Sequence, residues 1–296
     1  MEEREKELNR FTRSLRRKAE NTRYNYLLDV NQFLDWVEDT NSQYIFEEDD
    51  LEFDDYEDVF EEYKEFLFKK YESMKTVNRK YNAVNAFLEF KKLNYRIKSE
   101  KIQNQTFIDD MLSNEDIKNV IALAEKKGDL RTRAILYTCF YTGARISEVL
   151  QLKVSHLGKD EYSVKGKGSV YRRVLICSEL SNILQEYYDS GKRKGNFHGE
   201  EVENLFTSQR GALTRTAVNK SFDKYSKELG YNLKERLHPH AIRHLFTQNL
   251  MKRKSVSYSA IKQLLGHSLT TTDIYGQLSK SDLLEILNSM NSLLDD

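Results

Sequence analysis

The stretch TGARISEVLQL, residues 142–152, follows an apolar run at 131–141 that reads as a helix. Thr142-Gly143 ends that helix, since glycine accepts the left-handed backbone favoured at a helix C-terminus. Arg145 then opens a new helix beginning over Ile146 to Leu152. Just beyond, EYSVK (161–165) and VYRRVLI (170–176) alternate apolar and polar residues on either side of Gly166 to Ser169. That pattern predicts a β-hairpin. Upstream, LSNEDIKNVIALAEKKG carries Ser113 and Asp116 at capping-box spacing before an apolar-periodic run. Downstream, helices are predicted at about 179–189, 214–229, 239–251, 257–265 and 281–290, and the glycines of GKRKGNFHGE mark a surface loop. One hairpin among many helices predicts a mixed α/β domain, dominated by α.

The first hundred residues read differently. A charged helix covers 3–18, and a second from Thr22 repeats apolar residues at Leu27, Val30, Phe33, Leu34 and Val37. Two more follow at about Tyr56 to Tyr71 and Val77 to Leu93. Arg79, Lys80, Lys91 and Lys92 are candidates for a basic face on the last, although such a face is ordinarily plain solvent surface. A polar stretch at 97–106 then suggests a linker. The expected division is a helical domain at 1–98 and a mixed α/β domain at 107–296.

Among the 296 residues, 32% are charged, 39% are hydrophobic and one is proline, which suits a polar-surfaced, helix-rich protein. No run approaches the roughly 18 uncharged apolar residues of a membrane span. The first residues, MEEREKELNR, lack a signal-peptide layout, so no membrane and a cytoplasmic location are expected. Cys139 and Cys177 form neither a disulfide framework nor a metal cluster, and Cys139 is expected in the core. The zero net charge conceals an imbalance: residues 1–100 hold 18 Lys and Arg against 24 Asp and Glu, and the remainder 29 against 23. Much of the acidic excess lies in EEDDLEFDDYEDVFEE, 47–62, read as a solvated loop and first helical turn.

Several polar residues stand at element boundaries, where side chains meet ligands. Arg145, beside a helix N-terminus, offers a guanidinium fork for a phosphate. Lys167 sits in a Gly-Lys-Gly hairpin tip that can approach a ligand closely but lacks the Walker pattern, which excludes nucleotide binding of that kind. His240 and Arg243 lie three apart, after Pro239 in the first helical turn, and so share a helix face. His240 and His244 have HxxxH spacing, but position 241 is alanine and no nearby acid completes a metal site. His267 follows the helix stop at Gly266, and Tyr275 comes eight residues later.

Taken together, TGARISEVLQL, VKGKGSVYRRV, HPHAIRH and LLGHS followed by TTDIY resemble, in order, the motifs of the tyrosine recombinase or phage integrase family. The resemblance reaches LSNEDI and, more loosely, residues 21–93. It implies a helical, SAM-like core-binding domain ahead of a mixed α/β catalytic domain with a small hairpin sheet. It assigns catalytic roles to Arg145, Lys167, His240, Arg243 and His267, with Tyr275 as nucleophile. Implied too are duplex DNA as substrate, a 3′-phosphotyrosyl intermediate, no cofactor or metal, and a synaptic homotetramer. The rival readings are a catalytically inactive DNA-binding protein and a type IB topoisomerase-like enzyme. The last helix, with Leu283, Leu284, Ile286, Leu287 and Met290, docks on a neighbouring protomer in such relatives, or else on its own chain.

Overall fold

The computed structural model describes residues 2–47, 53–102, 111–165, 171–230, 233, 236–266 and 278–295. The chain forms two compact units, Met1–Thr106 and Phe107–Asp296. Both are built mainly from helices, and the described strands are short antiparallel pairs.

In the first unit, α1 (Glu2–Ser14), α2 (Glu20–Asp39), α3 (Tyr44–Glu47), α4 (Phe53–Lys70) and α5 (Met74–Phe90) enclose one core. Val30, Phe33, Leu34 and Val37 of α2 are buried at helical spacing, opposite Val77, Tyr81, Val84 and Leu88 of α5. Phe33 meets the Tyr63 ring edge-on at 4.9 Å between centroids and stacks on Phe60 at 5.8 Å. The acidic run contributes more helix than expected, because Phe53 to Glu62 lies within α4 and buries Val59 and Phe60.

The candidate basic face is solvent surface only in part: Lys92 is exposed, whereas Arg79, Lys80 and Lys91 are paired with acids. Lys80 is buried, and its ammonium donates to Asp29 Oδ1 at 2.9 Å and to Gln32. Arg79 pairs with the other Asp29 oxygen, and Lys91 reaches Glu7. Spacing alone gave no sign that Asp29 of α2 would pair with Arg79 and Lys80, or Glu7 of α1 with Lys91. Removing one partner of a buried pair strands a charge, so Asp29→Ala is expected to cost about 3 kcal/mol or more in urea unfolding. A loss under about 1 kcal/mol would mean the cluster is hydrated and unimportant to stability.

The second unit is organised around α7 (Leu130–Thr142), which is buried on most sides and packs against α6 (Asn114–Lys126), α9 (Ser178–Asp189) and α11 (Pro239–Met251). The capping box forms: Ser113 Oγ accepts the Asp116 N–H, and the Asp116 carboxylate accepts the Ser113 N–H. Cys139 of α7 lies in the core, and burial pushes its thiol up to about 12. Gly143 ends α7 at φ +56, and a Cβ there would stand 2.3 Å from the Phe246 ring of α11. Glycine is therefore required by both backbone and packing.

After it, α8 is only Ile146–Val149, shorter than the helix read from Ile146 to Leu152. The chain is diverted because Asn204 donates to the Leu150 carbonyl and the Leu205 N–H to that of Leu152. β1 (Glu161–Lys165) and β2 (Tyr171–Leu175) form the expected hairpin ladder, pairing Tyr162 with Val174 and Val164 with Arg172. Two miniature hairpins were not anticipated: β3 (Asn196–Phe197) with β4 (Glu200–Glu201), and β5 (Thr207–Ser208) with β6 (Gly211–Ala212). Two-residue strands are too short to show alternation. Their visible trace was the His198-Gly199 turn, where both residues have positive φ.

Then follow α10 (Arg215–Leu229), α11, α12 (Tyr258–Leu265) and a C-terminal helix at Lys280–Asn288. Leu283, Leu287 and Met290 are buried in the core of their own unit. Arg253 also reaches the Ser289 carbonyl at 2.7 Å, and Lys280 pairs with Asp160 at 2.7 Å.

Candidate active site

Arg145, His240 and Arg243 line one cavity of about 480 Å³, with Ser147, Arg215, Asn219 and His238. Lys167, His267 and Tyr275 lie outside the described residues. The three described members come from two places separated by nearly a hundred residues, the turn after α7 and the first turns of α11.

Arg243 is the most enclosed. It is 6% exposed, and its guanidinium donates to the Gly143 carbonyl at 2.7 Å and the Leu265 carbonyl at 3.0 Å. One side chain thus ties the end of α7 to the end of α12. Burial, followed by repulsion from Arg145 and Arg172, holds its pKa down to about 10, and it remains a cation at neutral pH. An anion in the cavity would relieve that repulsion.

Arg145 occupies the N-cap position of α8 without a capping bond from its side chain, and keeps an accessible guanidinium, 42% exposed at the side chain. Its backbone N–H donates to Glu148 Oε2 at 2.8 Å and its Nη1 to Oε1 at 3.0 Å. Arg145 stands beside a helix N-terminus as expected, but four residues make too short a helix for a substantial terminal dipole, so its charge comes from the guanidinium. Glu148 is 1% exposed and also accepts from Arg172 of β2, at 2.7 and 3.3 Å. Burial alone would raise its carboxyl, but the hydrogen bonds and charge of Arg172, with those of Arg145, hold it below the ordinary carboxylate range. Glu148 is thus an ionised, buried anchor for two arginines.

His238 supplies the N-cap of α11, its Nδ1 accepting the Ala241 N–H at 3.1 Å, with Pro239 next in the helix. That cap aims His240 and Arg243 toward the same cavity. His244 meets His240 edge-on, 4.5 Å between centroids. Partial burial, and then His244, His238, Arg243 and Arg145, depress the His240 pKa below 6.5. Partial burial and His244 do the same to His238. The unfolded chain therefore binds these protons more readily than the folded one. The stability they contribute is present above the ordinary value near 6.5 and is lost as pH falls through the folded values.

Sequence reasoning missed Arg172, Arg215 and Asn219. Arg172 left one trace: along β2 it shares the inward face with buried Val174, and an arginine in that register needs a partner inside. Arg215 and Asn219 stand four apart on α10 and looked like ordinary helix surface.

Residues 110–282 match the model of the phage integrase family. The tyrosine recombinase XerC of Bacillus pumilus is 29% identical over 248 residues, covering 78% of this chain and 80% of that protein. The tyrosine recombinase XerD of Chlamydia trachomatis is 28% identical over 242 residues, covering 74% and 78%. Two solved structures share the fold. A lambda integrase tetramer bound to a Holliday junction has a TM-score of 0.63 at 15% identity, covering 93% of this chain and 79% of that one. The XerH recombinase bound to its difH substrate has 0.59 at 20%, covering 88% and 78%. With a family match that takes in every motif from the hairpin to the tyrosine segment, the chain belongs to the phage integrase family.

Proposed function

We propose that the chain is a site-specific DNA recombinase that cleaves and rejoins duplex DNA through a 3′-phosphotyrosyl bond to Tyr275. The observation that carries this reading is the cationic cavity where Arg145, His240 and Arg243 converge. The Tyr275 oxygen attacks the scissile phosphorus, and His240 takes the phenolic proton. The bond to the 5′ oxygen breaks, and Lys167 protonates that leaving oxygen. Arg145 and Arg243 hold the nonbridging oxygens as charge develops, and His267 donates a further hydrogen bond. One phosphodiester replaces another, so rejoining is the reversal of cleavage and needs no external energy, cofactor or metal.

Residues 1–98 act as the core-binding domain and 107–296 as the catalytic domain. Four protomers join on synapsed DNA, a reading supported by the lambda integrase tetramer on its junction. The protein works in the cytoplasm; among the described residues no helix is long and apolar enough to cross a membrane.

The test is covalent capture. Duplexes from the DNA flanking the coding region, located by footprinting and nicked beside the cleavage point, are expected to trap a protein–DNA adduct whose nucleotide remnant maps to Tyr275 by peptide mass spectrometry. Footprinted DNA that yields no adduct would favour a binding protein without catalysis. Relaxation of supercoils by lone protomers without strand exchange would favour a topoisomerase.

A pH series adds an independent check. His240 must be neutral to accept a proton, and its pKa lies below the ordinary imidazole value. Cleavage is expected to hold steady through neutral pH and to fall on the acid side of about 6.5. His240→Gln is expected to flatten that acid limb and to slow the plateau by about 10²-fold. An unchanged limb in His240→Gln would exclude His240 as the base.

A further inference from the structure

Arg172 has no part in the steps above, yet its guanidinium joins separate pieces of the site. Nη2 donates to Glu148 Oε2 at 2.7 Å and Nε to Oε1 at 3.3 Å. Nη1 donates to the Leu264 carbonyl at 3.0 Å, in the last turn of α12. Its aliphatic stem passes beside Gly266, where φ is +63 and a Cβ would stand 2.1 Å from Arg172 Cδ. A side chain 11% exposed therefore touches both the carboxylate that holds Arg145 and the turn that delivers the chain to His267.

The planar fork matters here. A guanidinium can serve a carboxylate on one edge and a carbonyl on another, whereas an ammonium is a single point of charge. Glu148 is buried and ionised, and its hydrogen bonds from arginines among the described residues come from Arg145 and Arg172. If Arg172 is removed, the full carboxylate charge falls on Arg145. Arg145 is then drawn back onto Glu148 and its charge is spent there instead of on a phosphate. The Leu264 carbonyl loses its donor in the same step.

We propose that Arg172 is a positioning residue for DNA cleavage: it takes up the Glu148 carboxylate so that Arg145 can give its guanidinium to the phosphate, and it fixes the 264–266 turn ahead of His267. The inference rests on the reading of Arg145 as a phosphate ligand. An alternative role, a structural ion pair alone, predicts lower thermal stability with an unchanged rate per folded molecule.

The two are separated by single-turnover cleavage of a nicked cognate duplex at saturating protein, with DNA affinity measured alongside, using full-length chains. Arg172→Met is expected to slow cleavage by about 10²-fold while affinity stays within about 3-fold. Arg172→Lys, which keeps the charge but cannot span both acceptors, is expected to recover no more than about a tenth of the wild-type rate. The decisive variant is the double one. Adding Glu148→Gln to Arg172→Met removes the charge that captures Arg145 and is expected to restore cleavage by about 10-fold. If Arg172→Met does not fold, Arg172→Gln with and without Glu148→Gln carries the same comparison. Cleavage by Arg172→Met within about 3-fold of wild type, or a loss that Glu148→Gln leaves unrelieved, overturns the proposal. A wild-type chain that cleaves no DNA would instead remove the recombinase reading beneath it, and this inference with it.

Discussion

Tyr275→Phe is expected to abolish covalent capture of DNA while leaving binding of the same duplex unchanged. The substitution deletes one oxygen and keeps the ring, so the attacking atom alone is lost. Tyrosine is an uncommon nucleophile because its pKa of about 10 leaves it protonated at neutral pH. It becomes effective only beside a base and a cluster of cations that stabilise the pentavalent phosphorus. Denaturing gels read the adduct, and a mobility-shift titration reads binding. Adduct persisting in Tyr275→Phe would move the reaction to another tyrosine. Tyr258, exposed at the start of α12 with the Lys262 ammonium 5.0 Å from its ring centroid, would be examined first. Tyr258→Phe is expected to cleave at the wild-type rate.

Arg243→Ala is expected to lower cleavage by about 10³-fold or more, a larger effect than removal of one phosphate contact, which costs about 10²–10³-fold. The excess comes from its second task. Arg243 donates to Gly143, two residues before Arg145, and to Leu265, two residues before His267. Its loss leaves both carbonyls without that donor, at about 1–3 kcal/mol for each buried group. A fall in melting temperature is therefore expected together with the kinetic loss. Arg243→Lys is expected to help little, since one ammonium cannot reach two carbonyls and a phosphate. A variant that melts early but cleaves at the wild-type rate would make Arg243 structural only.

Much of the site was legible because its signals are local. The Thr142-Gly143 stop, the Pro239 start and the three-residue interval between His240 and Arg243 each follow from backbone geometry within one or two turns. The fold class was legible for the same reason: the apolar spacing of α2 and the alternation of β1 and β2 are short-range patterns. The burial of Lys80 was not legible because its partner is Asp29, 51 residues away. Arg172 was passed over because its meaning depends on Glu148 and Leu264, neither of which neighbours it in the chain.

The amino-acid sequence by itself determined which residues were candidates around Tyr275, their order, and the elements that carry Arg145, His240 and Arg243. Local rules of capping, turning and helical spacing suffice for that. Only the tertiary structure decided that these three share a cavity, that Glu148 is a buried anion, and that Arg172 joins β2 to both α8 and α12. Those facts depend on burial and on pairing across as many as 100 residues of chain, as between Arg243 and Gly143. No local pattern encodes them, because the energy of a charge is set by what surrounds it after folding.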